Sequence, residues 1–131
     1  MDFYLKKENT FERLLKEYKA YDSLVVAFDF DNTVYDFHQV GLEFKDVITL
    51  LQKLKKLGCY LIVFTANEEE DFVKNYCNEK KIPFDAINDN PPFYQSNSRK
   101  IYYNILLDDR AGLREAFDHL EKLIHYLNTN S

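Results

Sequence analysis

Four aspartates and one threonine stand where apolar runs give way to polar residues. Leu24-Val25-Val26-Ala27-Phe28 runs into Asp29-Phe30-Asp31-Asn32-Thr33, Tyr60-Leu61-Ile62-Val63-Phe64 into Thr65, and Ile105-Leu106-Leu107 into Asp108-Asp109. Carboxylates gathered at one place repel unless a cation sits among them. Oxygen ligands with no His or Cys beside them select magnesium over zinc. Magnesium held by carboxylates points to a phosphate substrate, with the ion bridging to phosphoryl oxygens and a carboxylate attacking phosphorus as a covalent nucleophile. A basic residue is then wanted against the phosphate, and Lys100, with Arg99 beside it, precedes the Asp108-Asp109 run. Capping of the following helices explains any one of these polar residues, but poorly explains five arriving together.

For these residues to meet, the apolar runs must be neighbouring parallel strands, because open α/β sheets bind ligands beyond the carboxyl ends of their strands. The intervening segments supply the crossovers. Phe11, Leu14, Leu15 and Tyr18 have helical spacing, and Asn9 with Glu12 predicts a capping box at the start of that helix. Val47, Leu50, Leu51, Leu54 and Leu57 mark a second helix, stopped by Gly58. Residues 68–80 read as a third, acidic at its start and basic at its end. A short strand is expected over 83–87, a Pro-, Asn- and Ser-rich loop over 88–99, a strand over 102–107 and a closing helix over 113–127. Strands alternating with helices predict an α/β fold, a Rossmann-like three-layer α/β/α sandwich with a mostly parallel sheet. A single domain is expected over 1–131, with an N-terminal helical segment over 1–22 and the α/β core over 23–127.

Composition narrows the function classes. A chain of 131 residues is one domain's worth, and 46% hydrophobic with 30% charged residues is a globular balance. The net charge of −5 argues against broad binding to nucleic acid or anionic lipid. Three glycines, Gly41, Gly58 and Gly112, cannot build a GxGxxG or GxxxxGK phosphate loop. Cys59 and Cys77 are too few for a disulfide scaffold and are read as inert thiols. No apolar run is long enough to span a membrane, and Met1–Glu8 lacks the order of a secretory leader, so a cytoplasmic setting is expected.

The ordered motifs resemble the haloacid dehalogenase superfamily. Asp29-Phe30-Asp31-Asn32-Thr33-Val34 after its apolar strand is similar to the family's first motif, DxDx[TV]; Thr65 after its strand is similar to the second, Lys100 to the third, and Asp108-Asp109 to the fourth. The resemblance runs from Ser23 to Gly112. It implies that Asp29 is the nucleophile of an aspartyl-phosphate and Asp31 the acid and then the base. It implies magnesium held by Asp29, Asp108 and the backbone carbonyl of Asp31, with Asp109 reaching the ion through water or supporting the residues that hold it. Thr65 would bond a phosphoryl oxygen, and Lys100 would pair with the phosphate and the nucleophile. The second aspartate of DxD favours phosphate over carbon–halogen chemistry. Asn32 stands where the family often has Gly, a tolerable exchange at positive φ. Between Thr33, Thr65 and Lys100 there is room for little beyond one helix and one strand each, so the resemblance is to the capless branch, whose members often take bulky or macromolecular substrates or recruit a partner to close the site.

The expected activity is therefore a magnesium-dependent phosphohydrolase. The alternative is a catalytically weak or inactive module that binds phosphate or a partner. A receiver domain fits less well, because its acidic pair and phosphorylated Asp lie on different early strands. Tyr35, Phe37, Phe93, Tyr94 and Tyr102 are read chiefly as packing residues in so aromatic a chain. His38, His119 and His125 lack metal-ligand spacing, and His119 and His125 are expected to face solvent. The leaving group and the oligomeric state are not fixed by the sequence.

Overall fold

The computed structural model describes residues 1–130. A 3-10 turn, Phe3–Leu5, leads into α1 (Lys7–Tyr21), followed by β1 (Val25–Phe28), α2 (Lys45–Lys56), β2 (Tyr60–Val63), α3 (Glu70–Glu79), β3 (Ala86–Ile87), β4 (Ile105–Leu107) and α4 (Leu113–Thr129). The four strands form one sheet in the order β3-β2-β1-β4, and every pair is parallel. This is the Rossmann-like α/β architecture expected. β1 is central and buried throughout, as its unbroken apolar run requires.

Element ends differ from expectation where side chains replace backbone partners. The capping box is not formed: α1 starts at Lys7 and has no side-chain cap. The Asn9 amide instead donates to the Phe3 carbonyl at 2.8 Å, tying the helix to the preceding turn. β3 is shorter than 83–87 because the Asp85 carboxylate, not a backbone carbonyl, accepts the Leu61 N–H at 2.8 Å. β4 is shorter than 102–107 for a parallel reason, the Asn104 side-chain oxygen accepting the Val25 N–H at 2.7 Å. Gly58, at φ 86°, ends α2 as expected.

The two sheet faces are covered differently. On one, Val26, Phe28, Leu61, Val63 and Leu107 share a continuous core with buried residues of all four helices, among them Leu14, Leu50, Val73 and Leu120. On the other, Val25, Ala27 and Ile62 pack with Ile101, bordered by the half-buried Tyr60, Tyr102, Tyr103 and Leu106. Right-handed crossovers place α2 and α3 on the same side, since β1, β2 and β3 progress in one direction across the sheet. The return from β3 to β4 covers the opposite side. That crossover, 88–104, carries Pro91, Pro92 and several Asn and Ser residues and forms no helix. The third layer is thus an irregular segment.

His119 does not face solvent. It lies on the inward stripe of α4 with Ala116, Leu120 and Leu123, only 7% exposed, its ring 6.5 Å from that of Phe11 on α1. His125 is exposed as expected.

Candidate functional site

Pairing of β1 with β4 brings the aspartates together. Phe28 is in register with Leu107, and the Asp29 N–H donates to the Leu107 carbonyl at 2.8 Å, one rung beyond the strands' ends. Asp29, Asp108 and Asp109 therefore emerge side by side, each offering a carboxylate oxygen within 4.8 Å of the others. The Thr33 hydroxyl lies 3.4 Å from Asp109 Oδ1 as donor and accepts the Asp109 N–H at 3.2 Å, fixing Asp109 against the loop after β1. Thr33 is fully buried.

The chain after β1 turns tightly. The N–H groups of Thr33, Val34 and Tyr35 all point to the Phe30 carbonyl, and the Asn32 N–H donates to the Tyr35 carbonyl at 2.7 Å. Asn32 takes φ 59°, the left-handed conformation its side chain tolerates. Phe30, between Asp29 and Asp31, is fully buried. It stacks on Tyr35 at 5.0 Å and meets Phe72 and Tyr76 of α3 edge-on. Tyr35 is accordingly a packing residue.

Crowding shows in the acidities. Asp29 is pushed up to about 7, first by burial, then by its hydrogen bond to Asp109 and the charge of Asp108, with the Phe30 N–H acting in the other direction. Asp31 is also raised, by burial and then by the charge of Asp109. Its Oδ1 is buried and has no hydrogen-bond partner. Among the described residues, no Lys or Arg forms an ion pair with Asp29, Asp31, Asp108 or Asp109. Three hard oxygens converging without a counter-charge, beside an unsatisfied fourth carboxylate, fit a divalent cation of the magnesium type. Asp29, Asp108 and Asp109 could hold it. The Asp31 carboxylate is outside that trio.

Thr65 is anchored, but to a residue the sequence did not single out. Its N–H donates to Asn88 Oδ1 and its carbonyl accepts from Asn88 Nδ2, both at 2.8 Å, while its hydroxyl oxygen accepts the Asn67 N–H at 3.1 Å. Asn88, at φ 55°, thereby joins the ends of β2 and β3. Its one legible sign was an Asn directly after a strand. Asp36 was also missed: its carboxylate accepts N–H groups from Val40, Gly41 and Leu42 and closes the loop beside the site. Lys100 is exposed, its backbone N–H held by Ser98 Oγ at 3.2 Å, and it forms no ion pair among the described residues. The structure thus joins Asp29, Asp108 and Asp109, keeps Asp31 adjacent, and leaves Lys100 on the surface.

No helix among the described residues is long and apolar enough to cross a membrane. No protein-family model and no curated protein matches the chain. Among solved structures, a conserved protein from Bacteroides thetaiotaomicron is similar, with a TM-score of 0.62 and 23% identity over 83% of this chain and 93% of that one. At that identity the likeness establishes the α/β fold.

Proposed function

We propose that the chain is a magnesium-dependent phosphohydrolase of the haloacid dehalogenase type, cleaving phosphate monoesters through an aspartyl-phosphate on Asp29. One observation carries the reading: the carboxylates of Asp29, Asp108 and Asp109 meet at the carboxyl ends of adjacent parallel strands, with no cationic side chain paired to them among the described residues. When bound, the cation would neutralise these charges and draw phosphoryl oxygens to the same point. An Asp29 oxygen attacks phosphorus, and the bond from phosphorus to the leaving oxygen breaks. Asp31, whose environment favours its protonated form, gives that oxygen its proton. Asp31 then takes a proton from water, the resulting hydroxide attacks phosphorus, and the bond to Asp29 breaks to release inorganic phosphate. Thr33 orients Asp109 throughout.

The second reading, a module that binds without turnover, draws on the placement of Lys100, because no basic side chain among the described residues is paired with the acidic cluster. One experiment separates the two. Phosphatase turnover of an aryl phosphate in magnesium is expected for the parent chain, and Asp29→Asn should lower it by about 10⁴-fold or more while the protein stays folded. Near-parental turnover in Asp29→Asn removes Asp29 as nucleophile. A parent that is stabilised by magnesium yet inert to phosphate esters is the binding module.

A further inference from the structure

A cleft of about 740 Å³ opens beside the acidic cluster, between the starts of α2 and α4, and Asp109 lies in its wall. Its apolar lining comes from both helices: Phe44 and Val47 on one side, Leu113 and Phe117 on the other. Both helices are entered through a left-handed residue. Before α4 this is Gly112, at φ 75°, where an added Cβ would meet nothing within 4 Å. Before α2 it is Phe44, at φ 54°, ψ 33°. A bulky side chain is a poor occupant of that conformation, and glycine would serve the turn better. The turn alone therefore does not account for a ring at this position.

The cations of the cleft are already paired, while Asp46 and Asp109 in its wall have no ion-pair partner among the described residues and disfavour an anionic group there. Lys45 pairs with Glu43 at 2.8 Å, and Arg114 pairs with Asp118 at 2.9 Å while lying 4.7 Å from the Phe117 ring centre. Neither cation is free for a second anionic group on a ligand. Resting on the hydrolase reading of the acidic cluster, we propose that this cleft is the leaving-group subsite and takes an uncharged aromatic leaving group, with Phe44 and Phe117 as its specificity-determining residues. Asp109 belongs both to the acidic cluster and to the cleft wall, so the cleft is the apolar surface next to a phosphoryl group held at Asp29. There an aromatic ring removes apolar surface from water against two phenylalanines and two aliphatic side chains. A cleft of this size holds one or two fused rings.

Two measurements on the full chain in magnesium test this. The first is the ratio of kcat/KM for 2-phenylethyl phosphate over ethyl phosphate, whose leaving alcohols are of similar acidity. The second is the ratio of affinities, by calorimetry, for benzylphosphonate over methylphosphonate. Both ratios should exceed about tenfold in the parent, the scale of one well-buried apolar group. Phe44→Gly and Phe117→Ala should each bring them towards unity. Phe44→Gly relieves the backbone, so loss of preference there is not loss of fold, and its melting temperature should not fall. Turnover with no aromatic preference, or a preference that survives both substitutions, overturns the subsite and leaves the hydrolase reading intact. An absence of turnover with a ring-dependent phosphonate affinity sinks the hydrolase reading and supports the subsite. Equal phosphonate affinities in the parent overturn it.

Discussion

The two faces of the sheet carry different jobs with different materials. The helical face is aliphatic and closed: Leu50, Leu51, Leu54, Leu61 and Leu120 are wholly buried beneath four helices. The opposite face is thin and aromatic, covered by a crossover with no helix. There Tyr94 stacks on Tyr102 at 4.5 Å while remaining 39% exposed, and Phe93 meets Tyr60 edge-on while 71% exposed. Apolar burial scales with area removed from water, so the first face supplies most of the hydrophobic stabilisation. The second face supplies reach. It carries the chain from the far edge strand β3 to β4, so that Asp108 and Asp109 arrive beside Asp29.

If that contrast is right, truncations on the two faces should differ in scale. Leu54→Ala leaves a cavity under close-packed helices and should cost about 2–5 kcal/mol in chemical denaturation. Tyr102→Ala removes a half-buried ring whose hydroxyl accepts a bond from Asn104 Nδ2 at 3.1 Å, and should cost about 1–2 kcal/mol. Equal losses would break the comparison. The smallest effect belongs to a polar residue inside the helical face. Burial holds the His119 imidazole below its ordinary value of 6.5; Glu115 and Asp118 oppose this weakly, and the charges of Lys7 and Lys122 add to it. A depressed histidine is neutral when folded and protonated when unfolded in the interval below 6.5. Its contribution is thus full above that value and declines as pH falls through the interval. His119→Leu should therefore lose less stability than the parent between pH 7 and 5, read as the difference between the two denaturation profiles. Parallel profiles would place His119 in an environment as wet as the unfolded chain's.

How much of this was legible follows from what each feature depends on. Strands β1 and β2 and the inward stripes of α2 and α4 rest on hydrophobic periodicity, which a sequence displays directly. Asp29, Asp108 and Asp109 were legible because the strands that carry them end where they begin. The shortened ends of β3 and β4 were not, since Asp85 and Asn104 act as backbone surrogates only once the strands are paired. Asn88 and Asp36 were missed for the same reason: their partners are N–H and C=O groups of distant or turned backbone. His119 sat in plain view on the apolar stripe, and its residue type overrode its position. Lys100 matched a motif in order, but order along the chain does not place a side chain in an irregular crossover.

The lengths of the strands have one more consequence. The sheet tapers from two central strands of four residues to edges of three in β4 and two in β3. An edge strand is a template on which another polypeptide can lay its own backbone, and its hazard grows with the length of unpaired N–H and C=O it presents. Here neither rim offers the run of five or six residues that a recruited strand needs, and Pro83 stands just before the shorter one. A chain that is 16% tyrosine and phenylalanine, with apolar β-branched strands, thus guards against sheet-to-sheet accretion by keeping its outermost strands too brief to copy.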